Sequence, residues 1–279
     1  MNILKAILFG IVEGVTEWLP VSSTGHMILL NQFVKLDVSK EFFNMFLVVI
    51  QFGAILAVII MFWGLIWPLG RSKESGKICW KRPVLRLWLR TIVSCLPAAV
   101  VGLLLDDWID EHLYNWVVVS LALIIVGIAF IFVENKNSNR EPSVARLGEL
   151  SNKDAFIIGL FQTVAAVFPG TSRSGSTILG GIAIGVSRKT AAQFTFVLAI
   201  PVMAGASLFK MVKYVHNGGT FTMNETAILL TGSIVAFVVS IFIIKFLMGY
   251  IRKHNFKPFA WYRIVLGIVV IAYFAIAGK

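Results

Sequence analysis

Six stretches of the chain run for close to twenty residues or more with few interruptions in their apolar character. They lie roughly at 41–69, 88–105, 115–133, 191–209, 226–248 and 260–277. A run of about 20 residues matches the hydrocarbon core of a bilayer, where only a helix or a closed barrel satisfies the backbone. The feature predicts spanning helices and excludes a water-soluble domain. Composition agrees, with 58% hydrophobic and 14% charged residues, against about 25% charged in a soluble domain; mean hydropathy is +0.85. The same figures exclude a disordered chain and a collagen repeat. Cys79 in a basic loop and Cys95 in an apolar run indicate neither a disulfide framework nor a metal site.

Two further apolar stretches, about 3–34 and 154–186, are broken by Gly, Pro, Ser and charge where a simple span would be uniform. They read as re-entrant segments. The first is expected to be retained and not cleaved as a secretory signal, because Glu13 and Glu17 interrupt it and no small-residue cleavage site comes after it. Loop charges set the orientation, since cytoplasmic loops collect Lys and Arg. Arg71, Lys73, Lys77, Lys81, Arg82, Arg86 and Arg90 crowd one loop, whereas Asp106, Asp107, Asp110 and Glu111 fill the next without a cation. Alternation then puts Lys136, Arg140, Arg146, Lys153, Arg188 and Lys189 inside, and Lys210 and Lys213 outside. Lys245, Arg252, Lys253, Lys257 and Arg263 come next, inside, so both termini, with Lys5 and Lys279, are expected outside. The net charge of +11 belongs to this loop bias and not to a nucleic-acid surface.

The chain also repeats itself. Sliding it by 149 residues lays Gly10, Val15, Pro20 and Ser23 over Gly159, Val164, Pro169 and Ser172, with Glu13 over Gln162. A shift of 150 lays Phe46 and Ile50 over Phe196 and Ile200. Each half, about 1–134 and 154–279, is one broken segment plus three spans, and an odd number of crossings inverts the second copy. The expected fold is one all-α polytopic membrane domain: six transmembrane helices plus two re-entrant helical segments in an inverted-topology repeat. Residues 135–153 form its polar cytoplasmic linker.

Chemistry concentrates in the broken segments. The first reads Glu13-Gly-Val-Thr-Glu17-Trp-Leu-Pro20-Val-Ser22-Ser23-Thr24-Gly25-His26. Carboxylates four apart share one helix face, where they repel unless a cation, a shared proton or a substrate relieves them. Ionisable groups inside a membrane are costly and functional by default. Pro20 is expected to end or kink the helix, leaving the hydroxyls and N–H groups of Ser22, Ser23, Thr24 and Gly25 in a loop. A Ser hydroxyl with a nearby Glu as base is one nucleophile; His26 as base or nucleophile is the other. The second segment reads Pro169-Gly-Thr-Ser172-Arg173-Ser174-Gly-Ser-Thr177. Arg173 reads as the only cation buried in an apolar stretch. A small-residue loop opening a helix, with a guanidinium, makes an anion cradle suited to phosphate; the alternative is an Arg paired with Glu13 or Glu17. Together the loops form a polar pocket in an apolar shell, whose ligand should be amphipathic. No Walker, dinucleotide or zinc pattern is present.

These two motifs resemble the signatures of the bacterial undecaprenyl-diphosphate phosphatase family, of the bacitracin resistance protein type. The resemblance extends through Val48-Val49-Ile50-Gln51 and Phe194-Thr195-Phe196-Val197-Leu198-Ala199-Ile200-Pro201. It implies a hydrolase of the bacterial inner membrane, converting undecaprenyl diphosphate to the monophosphate carrier of peptidoglycan synthesis, with bacitracin resistance. It implies that Glu13 and Glu17 bind metal or manage protons, Glu17 foremost; the paired carboxylates themselves point to a divalent cation, Mg²⁺ or Ca²⁺, between them and the phosphates. Ser23 is the preferred nucleophile and His26 its competitor; Ser22, Thr24, Ser172, Arg173, Ser174 and Thr177 would hold or orient the phosphates. Leu47 and Gln193 depart from the family, where Glu is common. Expected partners are a polyprenyl diphosphate and membrane lipids, with a second copy of the chain as a candidate and no nucleic acid. The competing class is a transporter or flippase, which shares the architecture but needs no nucleophile.

Overall fold

The computed structural model describes residues 1–71, 76–138 and 140–277. Lys73 and Lys279 of the charge pattern lie outside the described residues, as do the side chains of Asp106, Asp107 and Asp110. The chain runs α1 (Asn2–Thr16), α2 (Ser23–Phe33), α3 (Lys40–Met61), α4 (Trp63–Ile66), β1 (Leu69–Arg71), β2 (Ile78–Trp80), α5 (Arg82–His112), α6 (Trp116–Lys136), α7 (Asn152–Val167), α8 (Arg173–Ala183), α9 (Arg188–His216), α10 (Met223–Tyr250) and α11 (Lys257–Ala277).

Among the described residues six helices, α3, α5, α6, α9, α10 and α11, are long and apolar enough to cross a membrane. They are the six expected from the apolar runs, with shifted ends. The first closes at Met61 instead of 69, because the chain turns once more as α4 and then meets Pro68. The residue before a proline avoids the helical region, and Trp67 is extended at ψ 115°. Beyond Pro68 the chain forms a short antiparallel hairpin pairing Leu69 with Trp80, which the hydropathy pattern does not reveal. At the other extreme α1 has 15 residues and α2 has 11, about 22 and 16 Å at 1.5 Å per residue, each too short to span alone.

Helix pairing is symmetric. α1 packs on α10 as α7 packs on α5, while α3 meets α9 and α6 meets α11. Small residues allow the close approach, as is usual between membrane helices. A Cβ on Gly127 of α6 would lie 2.9 Å from the Ala260 carbonyl oxygen, and one on Gly267 of α11 would lie 2.8 Å from that of Ser120. The same contact is made twice, as an inverted repeat requires. It matches position 127 with 267 and therefore Leu123 with Arg263.

The linker is tied down at its start. Glu134, fully enclosed at the end of α6, pairs with Arg188 at the start of α9 and accepts the Phe256 N–H at 3.0 Å. Val144 forms a parallel bridge with Val186, and Ser151 opens α7 with a reciprocal cap to Asp154.

Candidate active site

Both broken segments meet at the centre of this frame. α1 ends at Thr16, four residues before Pro20, whose missing N–H and bulky ring prevent the bond back to the Thr16 carbonyl. The chain then turns through Glu17–Val21 and restarts at Ser23. Ser22 caps the new helix by accepting the Gly25 N–H at 3.2 Å, and Ser172 caps α8 by accepting the Gly175 N–H at 3.1 Å. Ser22 and Ser172 have φ of 73° and 72°, and among the described residues no other non-glycine residue has positive φ. Such strain costs on the order of 1–3 kcal/mol and persists where the surroundings over-determine it, often at functional loops.

These matched caps correct the alignment of the two loops. Ser22, not Ser23, is the counterpart of Ser172, so Ser23 stands where the second half has Arg173. The second loop is one residue longer, Pro169-Gly170-Thr171-Ser172 against Pro20-Val21-Ser22. Gly170 takes up the extra residue at φ 92°, and a Cβ there would sit 2.5 Å from the Val119 carbonyl oxygen.

Glu17 is the hub. Its Oε2 accepts the Ser23 hydroxyl at 2.6 Å, and its Oε1 accepts Arg173 Nη2 at 2.7 Å. The two halves of the chain are thus joined by a buried ion pair, the pairing alternative for Arg173. Arg173 also donates through Nη1 to the Thr195 carbonyl at 3.2 Å, and its guanidinium lies 5.9 Å from the Trp18 ring centre. Trp18 is completely buried, edge-on to Phe196. Glu13 is 1% exposed, and its Oε1 has no hydrogen-bond partner among the described residues.

The remaining hydroxyls mostly build the loops. Ser174 donates to the carbonyls of Glu17 and Leu19 at 2.9 and 3.2 Å, stitching one loop to the other. Thr177 bonds the Arg173 carbonyl and receives the Thr195 hydroxyl, both at 2.9 Å. Ser22 and Ser172 are caps, and Thr24 is half-buried beside them. His26 sits one turn into α2, its Nδ1 2.7 Å from the Ser22 carbonyl and its Nε2 2.7 Å from the Tyr262 hydroxyl.

One residue central to the site belongs to neither sequence motif. Arg263, expected among the cytoplasmic loop cations, is 0% exposed. Its Nη1 donates to the Pro20 carbonyl at 3.1 Å, and its Nη2 to those of Gly170 and Thr171 at 3.1 and 2.8 Å. It therefore grips both loops, and Arg173 is not the only cation buried in an apolar stretch. The reason is that α11 already begins at Lys257, so Arg263 lies in its second turn. Its place three residues inside the run 260–277 is the signal that distinguishes it from loop charges.

A sequence profile of the family described as bacitracin resistance protein BacA matches residues 6–269, almost the whole chain. The chain belongs to the BacA family. The undecaprenyl-diphosphatase of Desulfitobacterium hafniense is 54% identical to it over 99% of this chain and 97% of that protein. Those of Streptococcus thermophilus and Enterococcus faecalis are each 52% identical, covering 99% and 98% of this chain and 94% and 97% of theirs. Both BacA signature motifs named from the sequence lie within the profile match. The two positions expected to depart from the family sit on neighbouring spans: Leu47 is half-buried in α3 beside a cavity of about 910 Å³ that also has Lys40, Glu41 and Glu111 in its wall, and Gln193 is half-buried in α9.

The donor set bears on the expected cation. Among the described residues no cluster of three or more His, Cys, Asp or Glu is assembled, which argues against an all-protein cage. Two carboxylates one helical turn apart, one with an unpartnered buried oxygen, instead suit an oxygen-seeking ion that keeps water and shares substrate phosphates, as Mg²⁺ does.

Proposed function

We propose that this protein hydrolyses undecaprenyl diphosphate to undecaprenyl phosphate and inorganic phosphate in the bacterial inner membrane. It thereby recycles the lipid carrier of cell-wall synthesis and confers bacitracin resistance. One observation carries the chemistry: the Ser23 hydroxyl donates to Glu17 at 2.6 Å while Arg173 holds the same carboxylate at 2.7 Å. A nucleophile within hydrogen-bond reach of a base that a third group orients is the recurring arrangement for covalent catalysis.

In this reading Ser23 Oγ attacks the terminal phosphorus and its proton passes to Glu17. The bond from that phosphorus to the bridging oxygen breaks, and undecaprenyl phosphate leaves, taking the proton from Glu17. Water then attacks the phosphoserine with Glu17 again accepting a proton, which returns to Ser23 Oγ as phosphate departs. The sum consumes one water and yields two monophosphates. Ser23 is favoured over His26 because neither ring nitrogen of His26 bonds Ser23 or Glu17. Arg173 and the N–H groups opening α2 and α8 bind the phosphates; since phosphoryl transfer depends mainly on positioning and charge, Arg173 outweighs any single hydroxyl. Ser22, Ser172, Ser174 and Thr177 shape the cradle. Glu13 and Glu17 would hold a divalent cation, which when bound neutralises charge on the diphosphate oxygens.

α1–α2 and α7–α8 act as re-entrant segments, entering from opposite sides, with both termini outside. The test is phosphate release from undecaprenyl diphosphate by detergent-purified protein, beside Ser23→Ala and Arg173→Ala. Release that collapses in both variants is expected. Lipid that binds without release would assign the architecture to transport instead, and full activity in Arg173→Ala would refute the scheme.

A further inference from the structure

We propose that Tyr262 is a positioning residue of this site, fixing His26 as a single tautomer by donating its phenolic proton to Nε2. The other ring nitrogen decides where the proton sits. His26 Nδ1 lies 2.7 Å from the Ser22 carbonyl oxygen, which can only accept, so Nδ1 carries a proton. A neutral imidazole has one N–H, which leaves Nε2 with a lone pair. The group 2.7 Å from Nε2 is the Tyr262 hydroxyl, a donor, and the two ring planes lie within 4° of parallel with centroids 5.6 Å apart. Among the described residues no carboxylate is hydrogen-bonded to the ring to hold it as the cation, and the neighbouring charge on α11 is the Arg263 guanidinium. The doubly protonated form is therefore the disfavoured one.

Symmetry separates this role from packing. The match of 127 with 267 places Tyr262 opposite Ala122 and Arg263 opposite Leu123, and α6 packs the same way with those two apolar residues. The frame does not need a phenol at 262. Nor is Tyr262 a core residue, being 48% exposed. Adjacent on one helix turn, Tyr262 and Arg263 instead hold the first loop at two points: Arg263 at the Pro20 carbonyl, and Tyr262 through His26 at the Ser22 carbonyl. The strained cap at Ser22 is thus braced on both sides from α11. Loss of the phenol frees the ring to exchange tautomers and rotate off Ser22.

The kinetic part rests on the phosphatase reading; the tautomer does not. Both are read on purified, histidine-¹⁵N-labelled protein, with His26→Asn used only to assign the His26 signals. The wild type should show Nδ1 protonated and Nε2 unprotonated, and Tyr262→Phe, which keeps the ring, should show an exchange-averaged pair. Phosphate release by Tyr262→Phe should fall in kcat by on the order of tenfold with KM little changed, within the roughly 10²-fold that a small misplacement of the reacting groups costs. A protonated Nε2 in the wild type, or a His26 signature unmoved by Tyr262→Phe, would overturn the proposal even in a fully active enzyme. An expected tautomer signature with no phosphate release in the wild type would overturn the phosphatase reading and leave the positioning contact standing.

Discussion

Arg263 and Leu123 occupy matching places in two pseudo-symmetric helices, and the difference between them is a functional statement at single-residue scale. Arg263 Nε lies 3.5 Å from the Leu123 carbonyl, so the exceptional residue leans on its own counterpart while its fork holds both loops. Arg263→Leu restores the symmetric side chain and should pack. It should nevertheless leave the Pro20, Gly170 and Thr171 carbonyls without their donor, at about 1–3 kcal/mol for each buried group left unpaired. The expected result is a lower unfolding temperature in detergent and phosphate release reduced at least as much as by loss of Ser174, with Arg263→Lys recovering only part because it lacks the planar fork. Glu13 and Glu17 should respond in opposite ways to the same change. Glu17→Gln removes the carboxylate that accepts the Ser23 hydroxyl and pairs with Arg173, so under the proposed scheme both activity and stability should fall; breaking a buried pair typically costs about 3–5 kcal/mol. Glu13→Gln replaces a buried carboxyl group that has an unpartnered oxygen, so the unfolding temperature should hold or rise while any stimulation by Mg²⁺ or Ca²⁺ disappears. A Glu13→Gln protein that keeps full metal stimulation would remove Glu13 from cation binding.

At the scale of elements, the two broken segments show what a sequence discloses and what it withholds. The end of α1 is legible, since Pro20 denies Thr16 its helical bond, and the small-residue loop after it is legible from Ser22-Ser23-Thr24-Gly25. The register of the second loop is not. Its extra residue hides because Pro20 aligns with Pro169 and Ser23 with Ser172 at one common offset, whereas the backbone pairs the caps Ser22 and Ser172. Only the shared φ near 72°, with each serine accepting the N–H three residues on, reveals it. Arg263 is obscured for a related reason: charge counting treats any cation near a span's end as loop, and the helix start at Lys257 follows a turn whose Phe256 N–H is held by Glu134 from 122 residues away, a contact that local sequence does not show. The caps themselves are testable. Ser172→Ala should lower stability by about 1 kcal/mol, the usual worth of an N-cap, and also leave a β-carbon at positive φ without its compensating bond. Ser172→Asn should recover most of that loss, because Asn both caps and tolerates the left-handed region. If Ala and Asn were equally destabilising in thermal melts, the cap would not be what holds this turn.

For the whole molecule, the orientation argued from loop charge meets the structure at the hairpin between α4 and α5. That hairpin lies in the most basic loop of the chain and carries Cys79, which is exposed on β2, while Cys95, the other cysteine, is half-buried within α5. The native pair is therefore a built-in topology probe. Positive charge on the loop predicts the cytoplasmic side, and in the proposed inverted repeat the N-terminus and the start of α7 would then lie on opposite faces. A membrane-impermeant maleimide should leave intact spheroplasts unlabelled and label inside-out vesicles at one site, lost in Cys79→Ser and kept in Cys95→Ser. Labelling from the outer side would invert the entire assignment, because three spans per half leave no way to move one loop across the membrane without moving the rest. It would also exchange the sides from which the two segments enter, while leaving untouched the chemistry of Glu17, Ser23 and Arg173, whose contacts depend on the two halves meeting and not on which face each comes from.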